Sequence, residues 1–417
     1  MTTSTDALEL DAATVAGYLL SHTNLLHDRT PVEVRAITGG PDSPEEEGFV
    51  NFLFRVRQDG RSWIVKQSRP YLRSIDLGLR LEPQRNYLEY LAFRLRAGID
   101  DRTVPRVDFV DEANNVLVME DLYGADLRPL RYQLIAGVQF PLLADQVSSF
   151  LAGNHFFTSE LFLDKEIFRT LQRDFANLSM RAVMEDVVLS RIVSEPVVPG
   201  LGEVGSRAWQ DPGLRLALLQ ARDVLIHRSD CLIHGDLHTS NMFVDQGNLR
   251  VIDMEYAFVG PYSYDLGYLL ANFVSQYAAF EFNSGFGADE RRGFQRYLLD
   301  CIRGILDGYF SRFAEHFASH AKPLYRETAG YLESYLFPTV LDEAIGFMAA
   351  ANLHRVANLV PFPDFDEIAD PTERLLAQGL SAAIDEHLLR HREELLSPEL
   401  VVRAISAART TYRRRVA

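Results

Sequence analysis

Residues 231–255, Cys-Leu-Ile-His-Gly-Asp-Leu-His-Thr-Ser-Asn-Met-Phe-Val-Asp-Gln-Gly-Asn-Leu-Arg-Val-Ile-Asp-Met-Glu, constrain the fold more than any other stretch of the chain. An apolar lead-in ends at His234-Gly235-Asp236, and Asn241 follows Asp236 by five positions. A short apolar segment, a Gly-Asn turn and a second apolar segment then deliver Asp253. A loop and a hairpin thereby bring two carboxylates and a carboxamide to one point. That set suits phosphoryl transfer, in which one acid receives a hydroxyl proton while an amide and a second acid hold magnesium.

Asp236 takes the role of base or hydroxyl-positioning group in this reading. An aspartate is too weak a base to strip an alcohol early, so it accepts the proton as bonding to the leaving phosphate breaks and holds the oxygen in line. Asn241 offers a neutral oxygen and Asp253 a charged one, ligands that a hard cation prefers. Glu255, two residues on, points the same way along an extended chain, and either a share in the metal or a simple salt bridge accounts for it. His234 is expected to brace the loop through backbone hydrogen bonds, with His238 solvated or near substrate. Neither histidine makes a zinc site, since no third ligand lies at a sensible spacing. Asp265, at the start of a helical pattern, reads as a structural cap for backbone amides of this loop.

The chain has 417 residues and 47% hydrophobic content, enough for two domains or one large two-lobed unit with real cores. Its net charge of −16 argues against a nucleic-acid partner, which calls for a basic patch or stripe. Phosphate sites are local and often built from backbone N–H groups, so ATP binding is compatible with that charge. Cys231 and Cys301 stand in no paired or metal-ligand spacing. The N-terminus carries Asp6, Glu9 and Asp11 but no basic residue before an apolar core, unlike a signal peptide. No run of about 18 uninterrupted apolar residues occurs, so no membrane span or membrane partner is expected. A soluble cytoplasmic protein is the expectation.

The first 120 residues read as a β-rich lobe. Residues 11–27 form an amphipathic helix with Asp11 as cap. Strands follow at Val32–Thr38, Phe49–Val56, Ser62–Gln67, Val107–Asp111 and Val116–Met119, with turns at Asp59-Gly60 and Asn114-Asn115. A helix is expected over Glu82–Ala97, with Tyr87, Leu88, Leu91 and Leu95 on its inner side. Residues 121–417 are dominated by long helical patterns at 141–163, 165–192, 212–229, 264–280, 289–317, 325–336, 340–359 and 371–391. Pro/Gly-rich breaks separate them at 196–205, 283–287 and 361–371, and the strand-like pieces near 243 and 251 sit alone among helices. The fold class is therefore α+β, a five-stranded antiparallel sheet lobe followed by a large, mainly helical one.

Lysine is nearly absent: Lys66, Lys165 and Lys322 are the whole set. Lys66 ends the third strand, where a compact ammonium on a flexible stem reaches the α- and β-phosphates of ATP and is held by a helix carboxylate. Glu89 is the expected partner, with Glu82 as the alternative. The segment from Gly39 to Asn51 lacks G-x-G-x-x-G, but Gly48 with Asn51 can still offer backbone N–H groups to phosphate, while the acids 45–47 face solvent. The adenine ring would use backbone groups of Glu120 and Leu122, walled by Val50, Ile64 and Met119.

Together these residues resemble the protein-kinase-like superfamily that contains aminoglycoside phosphotransferases and choline kinases, and within it methylthioribose kinases most of all. The similar stretches are Phe52-Leu-Phe-Arg-Val with Ile64-Val-Lys66-Gln, Val118-Met-Glu-Asp-Leu122, Leu134-Ile-Ala-Gly-Val138 with Phe140-Pro141, Leu232-Ile-His-Gly-Asp-Leu-His238, and Val251-Ile-Asp-Met-Glu255 with Gly260-Pro261 and Asp265-Leu-Gly267. The resemblance implies a protein-kinase-like two-lobed fold and transfer of phosphate from ATP to the anomeric hydroxyl of a 5-modified ribose. It further implies Asp236 as base, Asp253 and Glu255 near magnesium, and a homodimer. His238, Arg131 and Arg355 are the candidates for contact with that small-molecule acceptor. The Asp126–Arg131 region has no tryptophan where the family carries one, and Glu343–Met348 lacks the family's arginine pair. A kinase of an aminoglycoside or amino alcohol is the alternative enzyme reading, and a nucleotide-binding pseudokinase regulator is the alternative of another class.

Overall fold

The computed structural model describes residues 8–38, 51–71, 81–194, 211–356 and 362–416. The expected phosphate-covering segment, with Gly48, Val50 and the acids 45–47, lies outside the described residues, as does the break at 196–205. Ten strands occur among the described residues: β1 Glu33–Ile37, β2 Phe52–Gln58, β3 Arg61–Gln67, β4 Val107–Asp111, β5 Val116–Glu120, β6 Arg128–Pro129, β7 Cys231–Ile233, β8 Met242–Val244, β9 Leu249–Val251 and β10 Phe258–Gly260. They and the helices gather into two compact units. The first takes the described residues up to Tyr132 with Asn177–Met180 and Ser240–Ala257, and the second takes the rest.

In the first unit β1–β5 form an antiparallel sheet in the order β1-β2-β3-β5-β4. The β2–β3 turn at Asp59-Gly60 has positive φ at both residues (51° and 76°), which aspartate and glycine tolerate and the twist of a hairpin favours. Side chains alternate across the sheet. Phe54, Val56, Trp63, Val65, Val116 and Val118 share one face and pack against Val15, Tyr18 and Leu19 of helix α1 (Val15–His22). On the other face the register aligns Leu53, Lys66 and Leu117 in one row and Arg55, Ile64 and Met119 in the next. Lys66 thus shares its face with Ile64 and Met119, two of the three apolar residues expected to wall an adenine.

Helix α2 spans Arg85–Asp100, and its inner face is not the expected one. Arg85, Asn86, Glu89, Ala92, Phe93 and Arg96 are buried, whereas Leu95 is exposed and Tyr87, Leu88 and Leu91 are half-buried. Hydrophobic spacing points at the wrong face here because the buried charged side chains have partners elsewhere in the chain. The strand-like pieces near 243 and 251 are not isolated either. β8 and β9 pair as a hairpin and β6 joins β8, with Leu122, Leu127 and Phe243 as their small core.

The second unit is helical around a central segment. Every residue of the Tyr262–Phe282 helix is buried, the mark of a helix surrounded on all sides. Its broadest partner is the helix Phe337–Val356, and Leu143–Phe157, Ala288–His320 and Pro371–His391 complete the surround. β7 pairs with β10 at the edge of this bundle. The run Tyr331–Val356 is long and apolar enough to cross a bilayer, yet 72% of its most apolar window is buried within the protein, as in a core helix. The pattern over 165–192 breaks at Asn177, whose backbone is left-handed (φ 42°). A further helix, Pro398–Val416, follows the expected ones and buries Val401, Ala404, Ile405, Ala408 and Tyr412 at helical spacing.

Candidate active site

The first unit assembles the Lys66 group. Ordinary alternation along β3 turns Lys66 to the face opposite α1, where its ammonium meets Glu89 from α2 at 2.7 Å and the carboxylate of Asp253. Burial alone would push the Lys66 ammonium down, but Asp253, Glu89 and Glu255 outweigh it and hold the group above the ordinary lysine range. Glu89 is fully buried, and that burial pushes its carboxyl up while Lys66 pulls it back. Asp253 is reached through β8 and β9: Ile252 donates its N–H to the Asn241 carbonyl at 2.9 Å, and Asp253 turns out of the hairpin with φ 65° and ψ 53°. A non-glycine residue in the left-handed region costs conformational energy, and such strain clusters at functional sites. Its side chain keeps 30% exposure, against 5% for Lys66.

Glu255 lies beside this group but is occupied otherwise. Its two oxygens accept from Asn51 Nδ2 and Arg85 Nε, both at 2.9 Å, and its side chain is fully buried. Arg85 Nη2 also donates to Asn51 Oδ1 at 2.9 Å, and Ser68 Oγ donates to the same oxygen at 2.9 Å. The salt bridge, one of the two alternatives left open by the sequence, is present with Arg85, which had no signal in the apolar pattern. Asn177 Nδ2 supports the same segment through the carbonyls of Glu255 and Ala257 at 2.8 and 3.0 Å. The connector after β5 is pinned as well: Arg55 makes a two-pronged pair with Asp121 at 2.8 and 3.3 Å, buried on both sides. That pair sits between Glu120 and Leu122, the expected adenine contacts, and sequence patterns did not disclose it. Arg131 is buried, at the start of the Leu130–Ile135 helix.

The donor types suit a hard cation: the Asp253 side chain keeps 30% exposure, and Asn241 is tied through its carbonyl to the N–H of Ile252, the residue before Asp253. Magnesium is characteristically held by one or two protein oxygens together with substrate phosphates.

The second unit assembles the Asp236 group. Gly235, with φ 84°, makes the turn that a side chain would resist, and the loop is fastened from below by Asp265. Asp265 accepts the N–H groups of His234 and Gly235 at 2.6 and 3.0 Å and lies 3.5 Å from His155 Nε2. Burial would raise the Asp265 carboxyl, but His155, His234 and these backbone bonds hold it below the ordinary carboxylate range. His234 Nδ1 accepts the N–H of Asp236 at 3.2 Å. His238 Nε2 is 3.5 Å from the Asp236 carboxylate. Burial would likewise raise Asp236, but His238, His234 and the Tyr268 hydroxyl more than offset it, so the group stays ionised well below neutrality. Arg355 is buried in the Phe337–Val356 helix, over the ring of Tyr268. Tyr268 was not among the residues singled out by sequence.

Residues 44–299 match the model of the phosphotransferase enzyme family. A methylthioribose kinase of Geobacillus sp. (strain WCH70) is 30% identical over 84% of this chain and 86% of its own. Methylthioribose kinase 2 of Oryza sativa subsp. japonica is 26% identical over 85% of this chain and 87% of its own. Among solved structures, a choline/ethanolamine kinase family protein from Mesorhizobium loti aligns with a TM-score of 0.45 and 15% identity, covering 96% of this chain and all of that one. The chain belongs to the phosphotransferase enzyme family.

Proposed function

We propose that the protein transfers the γ-phosphate of ATP, with magnesium, to a hydroxyl of a small sugar, S-methyl-5-thioribose or a related 5-modified pentose at its anomeric hydroxyl. The observation that carries the phosphotransfer is Lys66 held between Glu89 and Asp253 on the face of the sheet opposite α1. In this reading Lys66 binds the α- and β-phosphates, Glu89 orients it, and Asn51 and Gly48 flank the phosphates. Glu120 and Leu122 meet the adenine through their backbone. Asn241 and Asp253 would hold magnesium, whose charge would offset that of the phosphate oxygens. Glu255 serves as counter-ion to Arg85 and keeps Asn51 in place, because handing its oxygens to an ion would strand a buried guanidinium.

Asp236 accepts the proton of the acceptor hydroxyl. Its titratable neighbours within the second unit include His238, His234, Tyr264, Tyr268 and His354, neutral or cationic groups that suit a sugar better than a polycation. A cationic aminoglycoside or choline would call for acids around the base, and the overall charge of −16 is what favours that second reading. The named methylthioribose kinases among the relatives support the pentose. A cytoplasmic setting, where ATP is at hand, suits this activity.

The test is an acceptor panel with ATP and magnesium, following ADP release with methylthioribose, ribose, an aminoglycoside and choline offered separately. Turnover with methylthioribose is expected. Turnover confined to a cationic acceptor would remove the sugar assignment, and ATP binding without turnover on any acceptor would favour the pseudokinase.

A further inference from the structure

The Tyr262–Phe282 helix places two polar side chains one turn apart beneath the 234–238 loop. Residues at i and i+3 lie on the same side of a helix, so Asp265 and Tyr268 both face that loop. Asp265 fastens its backbone, as described. Tyr268 fastens its side chain, because the phenol hydroxyl hydrogen-bonds the Asp236 carboxylate. A tyrosine hydroxyl left to itself would let the ring swing, but this ring is held. Tyr264 stacks on it at 5.5 Å and 18°, and the Arg355 guanidinium lies 4.8 Å from its centroid. Arg355 also hydrogen-bonds the phenol oxygen, reaches the Tyr268 carbonyl at 3.5 Å, and is itself sandwiched by Phe362 at 5.0 Å. With 4% exposure, Arg355 spends its charge on Tyr268 and its surroundings rather than on bulk solvent.

We propose that Tyr268, oriented by Arg355, is a positioning residue for Asp236. Contact with the phenol restrains the carboxylate, which His238 approaches at 3.5 Å from its own loop, and keeps it turned toward the acceptor hydroxyl. Arg355 acts through Tyr268, not on the acceptor. The groups acting on Asp236 include His234 and His238 from its own loop, Tyr264 and Tyr268 from the central helix, and His354 from the Phe337–Val356 helix, with Arg355 beside Tyr268. Removing the phenol hydroxyl therefore loosens the carboxylate without removing the cations around it. The role rests on Asp236 being the base, and the experiment separates the two.

Tyr268→Phe deletes one oxygen and keeps the ring under Arg355. In full-length protein with ATP, magnesium and methylthioribose, kcat is expected to fall roughly tenfold or more, the cost of misplacing a reacting group. The KM for ATP should be unchanged. Arg355→Met should lower kcat in the same direction, and the double variant should be no worse than the more affected single, since both act on one contact. Independently of turnover, the 13C carboxyl resonance that disappears in Asp236→Asn should titrate about one pH unit higher in Tyr268→Phe, as expected when a hydrogen bond to the charged form is lost. Wild-type kcat together with an unmoved titration in Tyr268→Phe overturns the positioning role. Full activity in Asp236→Asn instead overturns the base assignment and leaves the carboxyl titration to judge Tyr268.

Discussion

Arg85 and Glu255 show how much a single buried pair can determine. Both side chains are fully buried, 2.9 Å apart, and Glu255 also carries Asn51. Glu255→Ala would strand the guanidinium, and breaking such a pair costs about 3–5 kcal/mol, read as a lower urea midpoint. Glu255→Gln keeps the shape and the acceptor oxygen. If Glu255 is counter-ion and not ligand, this variant should keep Mn2+ affinity in the presence of ADP within about threefold, whereas Asp253→Asn should lower it by tenfold or more. Electron paramagnetic resonance of free Mn2+ reads both, and a Glu255→Gln loss as large as that of Asp253→Asn would return Glu255 to the metal. His354 makes a second case. Burial, with Arg355 and Arg191 adding repulsion, holds its imidazole down at about 3, whereas the unfolded side chain titrates at the ordinary value of 6.5. The unfolded chain therefore takes up a proton between these values that the folded chain refuses. The stability from this site is complete above pH 6.5 and is lost as pH falls toward 3, by about 1.4 kcal/mol per pH unit. Urea unfolding at pH 6.5 and 5 should show a smaller drop in His354→Gln than in the wild type, and equal drops would assign the acid loss to other groups.

At the level of elements, the close approach of the Tyr262–Phe282 and Phe337–Val356 helices carries the Asp236 arrangement, since one supplies Asp265 and Tyr268 and the other Arg355. Gly267 permits that approach. A Cβ there would stand 2.3 Å from the Ala344 carbonyl oxygen and 2.8 Å from Phe347 Cβ, contacts with backbone that cannot swing aside. Gly267→Ala is expected to cost about 1–3 kcal/mol through forced separation of the helices. Gly293→Ala, in an open position of the Ala288–His320 helix, should instead stabilise by about 0.5–1 kcal/mol. Thermal and urea unfolding of the two variants give opposite signs if the packing is as described. The sheet shows the same dependence in a form that the residues themselves disclose. Alternation in β2, β3 and β5 reveals which residues of each strand share a face, and the pairing register then sets Lys66 on the face of Ile64 and Met119. Helix α2 does not yield to the same argument, because its buried stripe is built from arginines and a glutamate whose partners lie far along the chain.

For the molecule as a whole, the proposed activity assigns nucleotide binding and chemistry to different residues, and that division is measurable. A ligand at about 100 times its dissociation constant stabilises a folded protein by about 2.7 kcal/mol. ATP with magnesium should raise the melting temperature of the wild type and of Asp236→Ala alike. Lys66→Met should lose most of that shift, since its ammonium is what faces the phosphates in this reading. Asp236→Ala should nevertheless lose turnover by several orders of magnitude, and a variant that retains activity would exclude it as the base. Contiguous chain was enough to determine the five-strand sheet and its turns, the loop from His234 to Asn241, and the hairpin that delivers Asp253. Each of these depends on local period, turn chemistry or a short motif, all of which are written in neighbouring residues. The tertiary structure alone decided that Glu255 answers Arg85, 170 positions away, and Asn51, 204 positions away. It alone brought Arg355 to Tyr268 across 87 positions, where spacing along the chain carries no information about which buried charges meet. Spacing assigns a side chain to a face, but only packing between elements chooses the partner that makes its burial tolerable.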